Sequence, residues 1–250
     1  DYGCQNSNIY RLAELSPDMI KIDMSLVHKS DDLYQYRQYL KVLSDFAGNI
    51  GIEVVYEGIE NAGQLLNCIK SQGRFYQGFF LSKPLPTIEN AQFAQDKFKH
   101  GAFTSIMLHQ GSIDRGVSLK ETMDKLVEQC MREEPYENSA LSLDDYLADI
   151  CGDVPSYIIR VYICNKYGFQ VSSNIELGDG TIFLADFKNR NWAWRGYFTN
   201  AMRAISSSHT SYLTQAYRDV STKDQIYTYV RKLSAENYLF VDISKNELIN

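Results

Sequence analysis

Residues 54–64 read VVYEGIENAGQ, an apolar and aromatic run that ends on Glu57, a glycine and a second carboxylate at Glu60. An unbroken apolar run of this kind is the mark of a strand in a parallel sheet, covered on both faces. Upstream, MIKID (19–23) is a short strand ending on Lys21 and Asp23. Between the two strands, DDLYQYRQYLKVLSDFAGN (31–49) places Leu33, Tyr36, Leu40 and Leu43 at helical spacing, with Asp31 available as a cap and Gly48 near the end. Downstream, Asn61 to Ser71 forms a second helix carrying Leu65, Leu66 and Ile69, and YQGFFLSKPLP (76–86) is a third strand closing in a proline-stopped loop. Strands alternating with helices predict crossover units and a parallel sheet. In such sheets chemistry sits at the carboxyl ends of the strands, because the loops there vary while the scaffold holds them. The strands end on polar groups: Lys21 and Asp23, then Glu57 and Glu60, with Gln77 just inside the last. A lone E-G-x-E is ordinarily a pair of solvated loop acids; three polar strand ends in succession weigh against that.

Composition sets outer limits. The 250 residues are 44% hydrophobic and 22% charged, the signature of a globular protein able to bury a core. The balance of 25 basic and 31 acidic residues, net −6, gives no basic footprint for nucleic acid. Cys4, Cys68, Cys130, Cys151 and Cys164 form an odd set with no C-x-x-C pair and read as free thiols in a reducing compartment. No signal peptide and no apolar run of about 18 residues is present, so a cytoplasmic location without a membrane span is expected. The opening DYGCQNSN carries no methionine, cap or targeting logic, and the natural protein is expected to extend upstream.

The order DYG (1–3), SPDMIKIDMSLV (16–27), VVYEGIE (54–60) and YQGFFLSKPLP (76–86) resembles the second half of an EAL domain, the bacterial cyclic-di-GMP phosphodiesterase family. The resemblance implies a TIM-like (β/α) barrel, partial in this chain, and cleavage of cyclic-di-GMP to linear pGpG with two divalent metals, Mg or Mn. By that resemblance Asp1 and Glu57 ligate the second metal, and Lys21 holds or activates the attacking water. Gln77, Asp23 and Glu60 are then substrate-side residues, Gln77 supporting the metal, water and phosphate network and Glu60 steadying its loop. Oxygen ligands suit Mg and Mn, and paired cations lower the pKa of a bound water while neutralising phosphate charge. A homodimer is implied by resemblance as well.

Some features depart from the family. Its E-x-L glutamate and the first aspartate of its D-D-F-G motif would lie upstream of Asp1. Cys4-Gln5-Asn6-Ser7-Asn8 stands where a Thr-Gly-Tyr-Ser-Ser run is usual, Gly63 stands where a glutamate is common, and the segment Gly73 to Gln77 is one residue short. These departures favour ligand binding over full turnover.

Residues 1–98 are thus the barrel half, 99–140 a linker and connecting helix, and 141–250 a separate domain. In the linker, Ser118 with Glu121 reads as a capping box ahead of Leu119, Met123, Leu126, Val127 and Cys130 on one helical face. A second capped helix starts near Ser142. From Ser156 the texture turns to antiparallel strands, the first turning at Lys166-Tyr167-Gly168 and the last being YLFVDIS (238–244). A five- or six-stranded sheet with helices on one side is the α+β expectation. With WRGYF (194–198) and the terminal FVDI, this half resembles the PAS-like, Cache-related C-terminal domain of YkuI-type EAL proteins. Trp194, Arg195, Tyr197, Tyr217 and Asp242 are candidates for a sensory pocket: an arginine fork for a carboxylate, aromatic walls and an acid for an amine. With 18 tyrosines in the chain, a purely structural aromatic cluster is the plainer alternative. His28, His100, His109 and His209 are scattered without metal-ligand spacing. Three functions stay open: a metal-dependent phosphodiesterase with a regulatory domain, a receptor that holds the nucleotide without rapid cleavage, and a sensor for which the barrel is a dimer platform.

Overall fold

The computed structural model describes residues 2, 9–84, 92–131, 141–152, 154–178, 180–205 and 209–248. The chain divides into two compact units, Asp1–Ser112 and Ile113–Asn250. Asp1 and the loop from Cys4 to Asn8, both singled out above, lie outside the described residues.

In the first unit a short helix, α1 (Ile9–Leu15), leads to β1 (Met19–Ile22), α2 (Met24–Asp32), α3 (Tyr34–Asn49), β2 (Glu53–Tyr56), α4 (Ala62–Lys70) and β3 (Phe75–Tyr76). The three strands pair in sequence order, all parallel, and Tyr2 adds one parallel bridge to Ile22. Alternation decides the faces. Ile20, Ile22, Val54 and Tyr56 turn toward the helices and join Leu26, Val27, Leu40, Leu43, Leu65 and Cys68 in one buried core. The opposite face carries Lys21 and Val55 between Met19 and Phe75, which are 43% and 41% exposed. The expectation of a sheet covered on both faces holds for the helix-packed face; on the other face Val55 is buried while Met19 and Phe75 are exposed.

The helix starts correct two expectations. Asp31 does not cap α3, whose cap is Leu33; it lies inside α2. Asp23 caps α2 instead, its carboxylate accepting from the Ser25 amide at 2.9 Å, and Asn61 caps α4. The Ser118–Glu121 capping box is not formed either. A single helix, α5, runs Gln92–Cys130, so Ser118 is interior and its carbonyl accepts from the Thr122 hydroxyl. The residues before Ser118 are themselves helical and leave no orphan amides there to cap.

The second unit takes up the C-terminal part of α5, then α6 (Leu143–Ile150), β4 (Ile158–Asn165), β5 (Asn174–Glu176), β6 (Ile182–Leu184), α7 (Gly196–Ala204), β7 (Ser211–Leu213), β8 (Tyr217–Arg218), β9 (Gln225–Lys232) and β10 (Asn237–Ser244). Ser142 caps α6 as expected, accepting from the Asp145 amide. The strands form one antiparallel sheet in the order β6-β5-β4-β10-β9-β7, with β8 also on β9. Seven strands replace the five or six expected, since β7 and β8 are too short to announce themselves by periodicity. Both faces are covered, not one. Val161, Ile163, Tyr229, Leu239 and Val241 pack with Met123 and Val127 of α5 and Leu147 of α6, while Tyr162, Cys164, Val230 and Phe240 pack with Phe198 and Ala201 of α7. An antiparallel sheet with helices on its faces is the α+β arrangement expected of this half. The buried thiols are unpaired, burial pushing Cys151 up to about 12.

Candidate functional site

The parallel register sets the first site. Ile22, Tyr56 and Tyr76 share one level across the sheet, so Asp23, Glu57 and Gln77 follow at the next, beyond the carboxyl ends of all three strands. Lys21 points to the same face as Glu57, and its Nζ lies 2.6 Å from Glu57 Oε2. The Lys21 side chain is 43% exposed and that of Glu57 19%, which leaves the pair accessible from the open face.

The loop carrying Glu57 is built from several close approaches. Gly58 takes φ +70°, and a Cβ there would meet Met24 Cβ at 2.2 Å, so only glycine lets the loop lie on α2. Gly78, the glycine of YQGFF, is equally constrained: a Cβ would stand 2.1 Å from the Ile59 carbonyl oxygen. Gln64 Oε1 accepts from the Glu60 amide at 2.8 Å, while Asn61 Nδ2 donates to Asp31 Oδ2 at 2.7 Å. Asp31 also explains Gly63, where a Cβ would sit 2.7 Å from its carboxylate.

Of the sequence candidates, Lys21 and Glu57 are brought into contact. Gln77 anchors the site through its backbone, accepting from Ile59 N at 3.1 Å and donating to Tyr56 O at 2.8 Å. Glu60 is exposed, and its carboxylate lies 3.8 Å from His28 Nε2. Asp23 is engaged as the cap of α2. The donors are hard oxygens of the kind Mg, Mn or Ca accept. They fit a divalent cation in chemistry, though no group of three potential ligands is found among the described residues. An apolar groove of about 270 Å³, lined by Ala62, Leu65, Phe80, Asp96, Lys97, His100 and Gly101, includes none of the strand-end residues.

In the second unit the structure gathers Trp194, Arg195, Tyr197 and Tyr217. The Arg195 guanidinium lies 5.2, 5.5 and 5.6 Å from the rings of Trp194, Tyr197 and Tyr217, and the two tyrosines stack at 5.5 Å. Arg195 has no carboxylate partner among the described residues, and Trp194 is 71% exposed. Asp242 joins this group from beneath, through a chain of hydroxyls. Tyr217 Oη donates to Thr228 Oγ1 at 2.7 Å, and Thr228 donates to Asp242 Oδ1 at 2.7 Å. Arg160 Nη1 takes the other oxygen at 2.9 Å. Asp242 is 2% exposed with both oxygens engaged, so it presents no open carboxylate for an amine. Burial raises its pKa against the pull of Arg160, and burial likewise raises those of Tyr197 and Tyr217. Arg160 was missed in the sequence because its partners Glu176, Asp219 and Asp242 are distant along the chain and meet only across the sheet.

Three carboxyls of this unit move the other way. Burial alone would raise Asp124, Asp144 and Asp219, but hydrogen bonds from Lys120, from Lys188 and Ser173, and from Ser221 and Thr222 outweigh it and hold them below the usual carboxylate range. A depressed carboxyl contributes stability that is present above its unfolded pKa, about 3.9, and is lost as pH falls through the folded value. Asp242, raised, contributes the opposite slope just above that pH. Below the unfolded value only the three depressed carboxyls act, so fluorescence of Trp192 and Trp194, both in this unit, should show it losing stability on acidification below about pH 4. A melting temperature unchanged between about pH 4 and pH 2 would contradict this.

Comparison with known proteins gives two family matches: an EAL domain over residues 1–84, and an EAL-domain associated signalling protein domain over residues 88–250. The EAL-domain containing protein YkuI of Bacillus subtilis (strain 168) is 27% identical over 242 residues, covering 96% of this chain and 59% of that protein. The chain therefore spans about three fifths of that relative's length. A crystal structure of Bacillus subtilis YkuI in complex with substrate c-di-GMP and calcium superposes with a TM-score of 0.85 at 28% identity, covering 98% of this chain and 61% of that one. The probable cyclic di-GMP phosphodiesterase PdeG of Escherichia coli (strain K12) is 30% identical over 99 residues, 40% of this chain and 20% of that protein.

Proposed function

The chain belongs to the family of EAL-domain associated signalling proteins, and from that premise we propose that it is part of a metal-dependent cyclic-di-GMP phosphodiesterase yielding linear pGpG. The observation that carries this reading is the Lys21–Glu57 contact of 2.6 Å beyond the ends of parallel strands, on the open face of the sheet. Glu57, with Asp1, would hold a divalent cation, Mg or Mn, while its carboxylate also meets Lys21. The cation, when bound, supplies a water of lowered pKa and neutralises phosphate charge. The chain's own contribution is orientation. The Lys21 ammonium steadies the Glu57 carboxylate and can donate to the attacking water, and the Gln77 backbone fixes the height of the loop. Asp23 and Glu60 border the nucleotide's path.

The run Cys4-Gln5-Asn6-Ser7-Asn8 favours a second reading, a receptor that holds cyclic-di-GMP without rapid cleavage. Incubating the full-length protein with cyclic-di-GMP and Mn and looking for pGpG separates the two. Product sustains the enzyme, binding without product sustains the receptor, and neither binding nor product sinks both. We assign the antiparallel unit as a PAS-like regulatory domain in which Arg195, flanked by Trp194, Tyr197 and Tyr217, receives the carboxylate of a small ligand. A homodimer belongs to the same reading. Among the described residues no helix is long and apolar enough to cross a membrane.

A further inference from the structure

His28 lies 30 residues before the loop that carries Glu57 and has no ligand-like spacing to any other histidine, yet its ring reaches that loop. Its Nε2 stands 2.7 Å from the Gly58 carbonyl oxygen. A carbonyl only accepts, so Nε2 carries the proton and donates. The same peptide group is held at its other end, where the Ile59 amide donates to the Gln77 carbonyl at 3.1 Å. One peptide plane, a single residue past Glu57, is therefore gripped from α2 on one side and from the exit of β3 on the other. The close approach of Met24 excludes any side chain at 58, so the residue that follows Glu57 is a glycine with no side chain of its own to fix its backbone. His28 Nε2 also lies 3.8 Å from Glu60 Oε2, which places the ring between the backbone after Glu57 and the next carboxylate.

We propose that His28 is a positioning residue for the strand-end site: by fixing the Gly58–Ile59 peptide it holds Glu57 where it meets Lys21 and a divalent cation. This rests on the reading of Glu57 as a metal ligand given above. The glycine at 58 makes the requirement physical. A residue with positive φ and no side chain has the widest choice of backbone angles, and a fixed carboxylate at 57 needs an outside hold on the peptide that follows.

The test uses the full-length protein and two measurements, Mn affinity by calorimetry and Mn-dependent turnover of cyclic-di-GMP. His28→Leu removes the donor; His28→Gln keeps an N–H donor at the reach of Nε2; His28→Asn keeps the amide but is too short. Loss of such an outer partner typically costs about 10- to 100-fold in metal affinity or activity. We expect His28→Leu and His28→Asn to weaken Mn binding about 10-fold and to lower kcat with little change in KM. His28→Gln should recover to within about threefold, on the same scale. Should the leucine variant fail to fold, the glutamine and asparagine pair carries the comparison, because both are polar and differ only in reach. Equal Mn affinity in all variants, or a glutamine variant as impaired as the asparagine one, overturns the proposal while the site reading stands. A wild-type protein that binds no Mn overturns the site reading and this proposal together.

Discussion

Replacing Glu57 by glutamine is expected to abolish measurable Mn-dependent turnover of cyclic-di-GMP, a fall of about 100-fold or more, beyond what losing an outer-shell partner costs. The substitution keeps volume and hydrogen-bonding capacity but removes the charge, which is the quantity a hard divalent cation needs from this position. Fold stability should hardly move. Glu57 follows the last residue of β2, its backbone amide donating to Ile22 O at 3.3 Å whatever the side chain. Its one charged partner among the described residues, Lys21, is 43% exposed, and such pairs contribute about 0–1 kcal/mol. A Mn-dependent turnover assay, alongside a melting curve, tests both halves. Retained turnover would remove Glu57 from the metal site, and a collapsed melting temperature would mean that the loop is structural.

The opposite profile is expected at Asp242. Asp242→Ala should leave Mn-dependent chemistry at the strand ends intact but destabilise the antiparallel unit by about 3–5 kcal/mol, the usual cost of breaking a buried ion pair. Asp242 is 2% exposed, and its two oxygens hold Arg160 at 2.9 Å and Thr228 at 2.7 Å. Removing it leaves a guanidinium whose Nε already lacks a hydrogen-bond partner, and whose other acids, Asp219 and Glu176, stand at 3.6 and 3.7 Å. For a domain of this size the melting temperature should fall by roughly 10 °C or more. Replacing both partners with apolar residues, Arg160→Met with Asp242→Leu, should recover much of the loss, since a well-packed apolar pair avoids the desolvation cost. A loss below about 1 kcal/mol for the alanine variant would show that Asp219 and Glu176 take over the arginine, well short of that cost.

These two sites differ in how far the sequence exposes them. The strand-end residues were legible because strand, loop and carboxylate are contiguous: VVYEG states its own geometry, and a parallel sheet has one end at which such groups collect. Asn61 and Ser142 were legible as helix starts for the same local reason. Ser118 misled, because a capping pattern records only what a serine can do; whether it acts depends on the residues before it, here helical back to Gln92. Asp31 misled in a similar way, satisfying the start of α4 across 30 residues instead of the helix beside it.

Sequence by itself determined the parallel arrangement of the first unit, the antiparallel texture of the second, and Lys21 and Glu57 as strand-end groups; the strand expected over 76–86 is only Phe75–Tyr76, which is what puts Gln77 past its end. Those follow from periodicities of two and 3.6 residues and from turn chemistry, all of which act over a few neighbouring positions. Tertiary structure alone decided that His28 grips the peptide after Glu57, that Asp31 meets Asn61 at the start of α4, and that Arg160 gathers three carboxylates from β5, β10 and the turn after β8. The reason is distance along the chain. Hydrogen bonds and ion pairs between residues 16 to 82 positions apart leave no periodic trace, and only the packed structure brings the partners within 4 Å.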